Sequence, residues 1–156
     1  GYFMENFLHD IPSIVAGTVY SGVNPDRRFP LVATRDIAYK AAAFFLSQDW
    51  IGHKVVGVHG PSHISMRQAY AQIAEVVGRP INLVPVPVDA VRSAMLGMGI
   101  PEFVVSGYCE MFDAFNSDKP DFCEPRTVET TTHTTLRSFA RKVLGPALAH
   151  AGKAHS

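Results

Sequence analysis

The clearest pattern of apolar and polar positions runs from Lys54 to Pro80, KVVGVHGPSHISMRQAYAQIAEVVGRP, and predicts strand, loop, helix and stop. Val55, Val56 and Val58 form a short β-branched run that suits a buried strand. Gly60-Pro61 breaks it. Ser65 and Gln68 have the spacing of a capping box, in which each side chain satisfies the other's backbone N–H. Met66, Ala69, Ile73, Val76 and Val77 then recur on one helical face. Gly78 stops that helix and Pro80 cannot continue it. Ile81 to Val88 is extended again, with Pro85 and Pro87 marking a sheet edge.

Upstream, the segment from Tyr2 to Leu8 is helix-compatible and aromatic. Phe3, Phe7 and Leu8 share a face and predict a core-packing half-turn. Ile11 to Ala16 leads to Gly17. Thr18-Val19-Tyr20 predicts a short strand, Asn24-Pro25-Asp26 a turn, and Phe29 to Ala33 the returning strand of a loose hairpin. Thr34 can cap a helix with Asp36 in its first turn, where a negative charge suits the dipole. Ile37, Ala41, Phe44 and Phe45 give that helix an apolar face, and it should end near Trp50.

Downstream, Asp89 is the candidate N-cap of a helix running to Leu96, interrupted by Gly97, Gly99 and Pro101. A further helix from Glu102 carries Val104, Tyr108, Met111, Phe112 and Phe115 at helical spacing. Asn116 to Arg126 reads as a polar loop. Leu136, Phe139, Ala140, Val143 and Leu144 mark a last helix, expected to end at Gly145-Pro146, with a frayed tail from Ala149 to Ser156. Helices alternating with strands favour an α/β layered fold. With no internal repeat and no linker, residues 1–156 read as a single unit.

Composition narrows the classes. A chain of 156 residues can bury one core. A formal net charge of zero gives no electrostatic footprint for nucleic acid or an anionic membrane. No apolar run is long enough to span a bilayer, and no signal-peptide pattern opens the chain. Cys109 and Cys123 lack CxxC spacing and read as ordinary thiols of a reducing compartment, so a cytoplasmic protein is the expectation. The chain opens on Gly1 in the middle of an ordered-looking segment, which suggests a fragment.

The motifs for chemistry are sparse. G-x-G-x-x-G is absent. Gly57-Val58-His59-Gly60 follows a strand and precedes a helix, but its glycine spacing is wrong and no acidic residue ends the next strand to hold a ribose. His59 and His63 have no third ligand beside them, so a metal site has little support. His133 reads as an exposed loop residue. There is no G-x-S-x-G elbow. None of Tyr2, Tyr20, Tyr39, Tyr70 and Tyr108 is followed four residues later by lysine. Arg35 beside Asp36 is the best charged candidate. Either Asp36 caps a helix while Arg35 pairs with a surface carboxylate, or Arg35 stands at the lip of a cleft facing an anionic or quinonoid ligand.

GYFMENFL, FPLVATRDIAYKAA, VHGPSHIS with AEVVGRPI, and EPRTVETTTHTTLRSFA together resemble the NmrA-like group of atypical short-chain dehydrogenase/reductases, over nearly the whole chain and in the same order. The likeness is to the C-terminal half of such proteins only. It implies the C-terminal part of a Rossmann-type NAD(P)-binding fold, with the outer sheet strands and a small helical substrate lobe. The half carrying the glycine-rich phosphate loop would be missing. It implies NADP (NADPH) as cofactor, flanked by Gly1, Tyr2, Phe3, Met4, Glu5 and Asn6. Asn6 can both donate to and accept from a carboxamide or ribose, and Phe3 and Met4 would supply an apolar wall. Phe7, Arg35 and Asp36 are expected on the substrate side. Val55 to Val58 would join the edge of the main sheet, and the helices after Pro87 would form the substrate lobe. The implied activity is NADPH-dependent reduction of a small molecule, a quinone or azo compound. The alternative is a non-catalytic NADP-sensing or protein-interaction regulator. A homo-oligomer or protein partner stays open, and neither nucleic acid nor membrane is expected as a direct partner. No catalytic acid or base is named by the sequence.

Overall fold

Parallel pairing of two segments far apart in sequence sets the architecture. The computed structural model describes residues 2–47, 50–117 and 125–153. A 3₁₀ turn at Met4–Leu8 and a helix α1 at Ile11–Ala16 lead to strand β1, Thr18–Ser21. Gly17, at φ 83°, takes the left-handed position that ends α1 and turns the chain into β1. Strand β2 is Arg28–Phe29 and helix α2 is Thr34–Ser47. Strand β3, Ile64–Ser65, leads directly into helix α3, Met66–Val77. Then come strand β4 (Asn82–Pro85), helix α4 (Val88–Gly97) and helix α5 (Glu102–Asn116). The chain closes with α6 (Leu136–Phe139), a π-helical turn (Ala140–Leu144) and α7 (Gly145–Lys153).

β1 pairs with β4 in parallel, Thr18 opposite Asn82 and Ser21 opposite Pro85. β2 pairs with β3 antiparallel. The expected hairpin from Thr18 to Ala33 is therefore corrected. Its turn does form, with Asp26 N donating to Asn24 Oδ1 at 2.9 Å. The strands on either side of that turn take different partners, and the parallel β1–β4 pair needs a long crossover that no tight turn can supply. The α3 helix is as expected: Ser65 accepts from Gln68 N, Gln68 Oε1 accepts from Ser65 N, and Gly78 caps the end at φ 71°.

The core collects one face from each of these elements. Met4, Phe7, Ile14, Val19, Phe29, Leu31, Met66, Ile73, Phe139 and Leu144 are buried together in it. Val105 and Cys109 of α5 are buried as well. At the far end of α5, Asn116 donates to Gly22 O at 2.8 Å and accepts from Asn24 N at 2.7 Å, which ties the α4–α5 pair to the loop after β1.

Four expectations change. Val55 to Val58 forms no strand and pairs with no described residue; the chain engages only at His59, which bridges Thr131 in parallel. Pro87, not Asp89, occupies the N-cap of α4, and Asp89 lies in its first turn. Gly145-Pro146 does not end the last helix. Gly145 N donates to Ala140 O in a π turn, and this wider turn relieves the clash of the Pro146 ring with the carbonyl four residues back. The helix then continues to Lys153, so 149–153 are helical, with Leu148 in the core. Cys123, most of the polar loop after Asn116 and the last three residues of the tail lie outside the described residues.

Candidate functional site

The Tyr2–Asn6 segment is held at both ends. Met4 N donates to Val32 O at 2.9 Å and Val32 N donates to Tyr2 O, so Tyr2 to Met4 runs extended beside Val32. Extended backbone sends alternate side chains to opposite sides. Tyr2 and Met4 turn inward, and Phe3 stays exposed. The 3₁₀ turn that follows buries Phe7 completely, so Phe7 is a core residue rather than a surface for substrate.

Glu5 has a structural task. Both carboxylate oxygens accept from Thr34 N, at 3.0 and 3.1 Å, placing a negative charge at the N-terminus of α2. The Asn6 side chain is half-buried and makes no hydrogen bond with a described residue. Of the expected cofactor-flanking residues, Phe3 and Asn6 therefore keep a free group or face. Met4 and Glu5 are committed to the core and to α2, and Gly1 lies outside the described residues.

Arg35 and Asp36 part company. Asp36 accepts from Thr134 N at 3.2 Å and from Thr134 Oγ1 at 2.8 Å, fastening the threonine-rich segment to the start of α2. Arg35 is exposed and has no hydrogen bond or ion pair with any described residue. It borders a cleft of about 60 Å³ together with Glu5, Thr134, Ser138 and Lys142. Glu5 thus joins the two groups of residues expected from sequence. Ser138 and Lys142 were not foreseen there, since they reach the cleft from the last helix, more than a hundred residues away in sequence.

Behind this segment lies an aromatic cluster. The Tyr2 ring sits 5.8 Å from Phe7, 5.7 Å from Phe29 and 6.3 Å from Phe115. Tyr70 meets Phe7 edge-on and donates from its hydroxyl to Asp10 Oδ2 at 2.6 Å. Burial raises the pKa of both Tyr2 and Tyr70, and the nearby Asp10 charge raises them further. Burial also raises Asp10, against the opposing effects of the Tyr70 hydrogen bond and His9.

Gly60 of the central loop is taken up by backbone packing. A Cβ on Gly60 would lie 1.7 Å from Leu31 O, so glycine is needed there for backbone contact. Gly60 N donates to Pro30 O. The N-termini of α2, α3 and α6 already carry Glu5, Ser65 and Thr135 as hydrogen-bond acceptors. Among the described residues, no three His, Cys, Asp or Glu side chains cluster as a metal site. No helix among them is long and apolar enough to cross a membrane.

The fold is α/β, and it is shared with about half of each of two solved reductases. It is similar to an NADPH-dependent quinone oxidoreductase from Escherichia coli, with a TM-score of 0.68 at 19% identity over 92% of this chain and 53% of the other. It is also similar to the Citrobacter sp. triphenylmethane reductase solved with NADP(H), with a TM-score of 0.61 at 16% identity over 96% of this chain and 50% of the other. In sequence it is 27% identical over 143 residues to an NAD(P)H azoreductase from Xenophilus azovorans, 90% of this chain and 48% of that protein. It is 33% identical over 94 residues to a (4-alkanoyl-5-oxo-2,5-dihydrofuran-3-yl)methyl phosphate reductase from Streptomyces griseus, 60% of this chain and 33% of that protein. No family model matches. The chain spans a third to a half of the length of these curated relatives.

Proposed function

We propose that this chain is the C-terminal half of a cytoplasmic NAD(P)H-dependent reductase of the NmrA-like kind, acting on a quinone or azo compound. The observation that carries the reading is the likeness to the azoreductase along nearly the whole chain. The reductase-like fold of the same residues supports it.

In this reading the exposed Phe3 ring and the Asn6 amide face the nicotinamide end of NADP. Phe3 supplies an apolar wall that keeps water away. Asn6 offers a donor and an acceptor to a carboxamide or ribose. When bound, the cofactor supplies the hydride. Arg35 and Lys142 border the small cleft beside the Glu5 carboxylate, and these two cations are the groups offered to an anionic or quinonoid substrate. The pyrophosphate is held by residues outside this half.

The test uses the complete polypeptide that carries this chain. NADPH absorbance is followed on adding a simple quinone or an azo dye. Oxidation that depends on the added acceptor is expected. Tight NADPH binding with no turnover on either acceptor would replace the reductase by a nucleotide sensor.

A further inference from the structure

Asp10 sits at the N-cap of α1, where an aspartate ordinarily accepts a hydrogen bond from the first turn of its own helix. Its side chain makes no such bond, and Pro12 in that first turn has no N–H to give. The carboxylate instead reaches across to α3 and accepts from the Tyr70 hydroxyl at 2.6 Å. A side chain that leaves its local role for a distant partner joins two elements rather than starting one.

The element joined to α3 is the 3₁₀ turn at Met4–Leu8. His9 N donates to Asn6 O at 3.1 Å and Asp10 N to Phe7 O at 3.3 Å, so the turn and Asp10 move together. At the other end, Met4 N is held by Val32 O, and Glu5 is tied to Thr34 N. The Tyr70 ring meets Phe7 edge-on, with centroids 5.3 Å apart. Tyr70 is only 3% exposed, and α3 is anchored by its capping box and by Met66, Ala69 and Ile73 in the core. Helix α3 is therefore the fixed body, and Asp10 is the point where the turn hangs from it. Asn6 lies inside that turn, and its side chain has no partner among the described residues. The place of its amide is set by the backbone on either side.

We propose that Tyr70 and Asp10 are positioning residues, whose bond fixes the turn so that the Asn6 amide meets NADPH at hydrogen-bonding distance. This rests on the reading above that Tyr2–Asn6 flanks the cofactor. Without the Tyr70 hydroxyl, the half-buried Asp10 carboxylate turns to water, since an unpaired buried charge is costly, and residues 6–10 shift with it. A hydrogen bond to the nucleotide tolerates little displacement before it is lost. Tyr70→Phe keeps the ring against Phe7 and removes only the hydroxyl, so it isolates this effect from core packing. A bond that served the core alone would lower the Tm when lost and leave the NADPH affinity of the folded protein unchanged.

NADPH dissociation constants are measured on the complete polypeptide for Asn6→Ala, Tyr70→Phe and the double variant, each well below its Tm. Tyr70→Phe should weaken binding at least about fivefold, and the double variant should bind no more weakly than Asn6→Ala, because the two residues serve one contact. Asp10→Asn keeps an acceptor for Tyr70 and should bind like the parent, whereas Asp10→Ala should match Tyr70→Phe. Suppose Asn6→Ala is weakened while Tyr70→Phe binds like the parent, or the two losses multiply in the double variant. Either result would overturn the proposal and leave the cofactor reading in place. Parent-like binding by Asn6→Ala would overturn both.

Discussion

Tyr70 donates from its hydroxyl to Asp10 Oδ2 at 2.6 Å, across 60 residues of sequence. The bond ties α3 to the residue just before α1, inside an aromatic cluster, and it puts a carboxylate where burial disfavours its charge. Its consequences for stability have a definite sign.

Folded Asp10 holds its proton to a higher pH than the ordinary carboxyl value of 3.8. The folded state therefore binds more protons than the unfolded state between those two values. Asp10 favours folding most below 3.8, and that contribution is lost as pH rises through the raised folded value. Asp10→Asn keeps an acceptor for Tyr70 and removes the charge. In urea unfolding from pH 4 to pH 8, the stability difference between Asp10→Asn and the parent should move in the variant's favour. Tyr70→Phe leaves the carboxylate without its donor, at a cost of about 1–3 kcal/mol. That cost should be greater at pH 7 than at pH 4, where Asp10 is closer to neutral. A pH-independent difference in both variants would show that the pair does not titrate in this way.

Gly60→Ala separates a packing glycine from a phosphate-binding one. The added Cβ meets Leu31 O at 1.7 Å and Leu31 C at 2.6 Å, both backbone atoms that cannot swing aside. A loss of stability of about 1–3 kcal/mol or more is expected. Thermal unfolding reads it. Unchanged stability with weakened NADPH binding would return Gly60 to the nucleotide site.

Local signals were legible where a structure is decided locally. The Ser65–Gln68 box spans a single helical turn, and Gly17 and Gly78 take the left-handed positions that end two helices. The partner of Thr18–Ser21 could not be read from its neighbours, because it lies at Asn82–Pro85, on the far side of α2 and α3. Val55 to Val58 has the composition of a strand and no described strand to pair with, so propensity alone does not make it one. Pro146 looked like a stop because the π turn that accommodates it has no sequence signature. At the candidate site, the aromatic segment and Arg35-Asp36 stood out by composition. The bond from Thr34 to Glu5 spans 29 residues and that from Thr134 to Asp36 spans 98, and no spacing rule reaches so far.

The isolated chain should bind NADPH poorly. α2, α3 and α6 have their N-termini occupied by the chain's own acceptors; α4 opens behind Pro87, and α5 opens behind Pro101, where Gly97 and Gly99 lack the third glycine of G-x-G-x-x-G and Glu102 puts a negative charge in the first turn. Little is left to hold a pyrophosphate. Calorimetry on residues 1–156 should find binding weaker than micromolar, short of about −8 kcal/mol. Glu5→Ala removes the charge from the start of α2 and should cost about 0.5–2 kcal/mol in stability. Micromolar binding by the isolated chain would mean that the nucleotide site lies within it.

Asn6 and Phe7 are neighbours with opposite exposure, and the pair gives the sharpest test of the proposed cofactor segment. The Asn6 amide is half-buried, with no hydrogen-bond partner among the described residues, and Phe7 is fully enclosed against Tyr2 and Tyr70. If Asn6 faces the nicotinamide end, Asn6→Ala leaves a cofactor group unsatisfied in a site where water competes poorly. The loss in NADPH affinity should be about 1–3 kcal/mol. Its melting curve should match the parent's, because the change removes no apolar packing. Phe7→Ala should lose about 3–5 kcal/mol of stability by opening a cavity in the aromatic cluster. Any change in its NADPH affinity should follow that loosening rather than a missing contact. Dissociation constants and unfolding curves for both variants, measured on the complete polypeptide, separate the two roles. Parent-like NADPH binding by Asn6→Ala would remove the main support for a cofactor role at Tyr2–Asn6. A lowered Tm in the same variant would place the Asn6 amide among the groups that hold the 3₁₀ turn together.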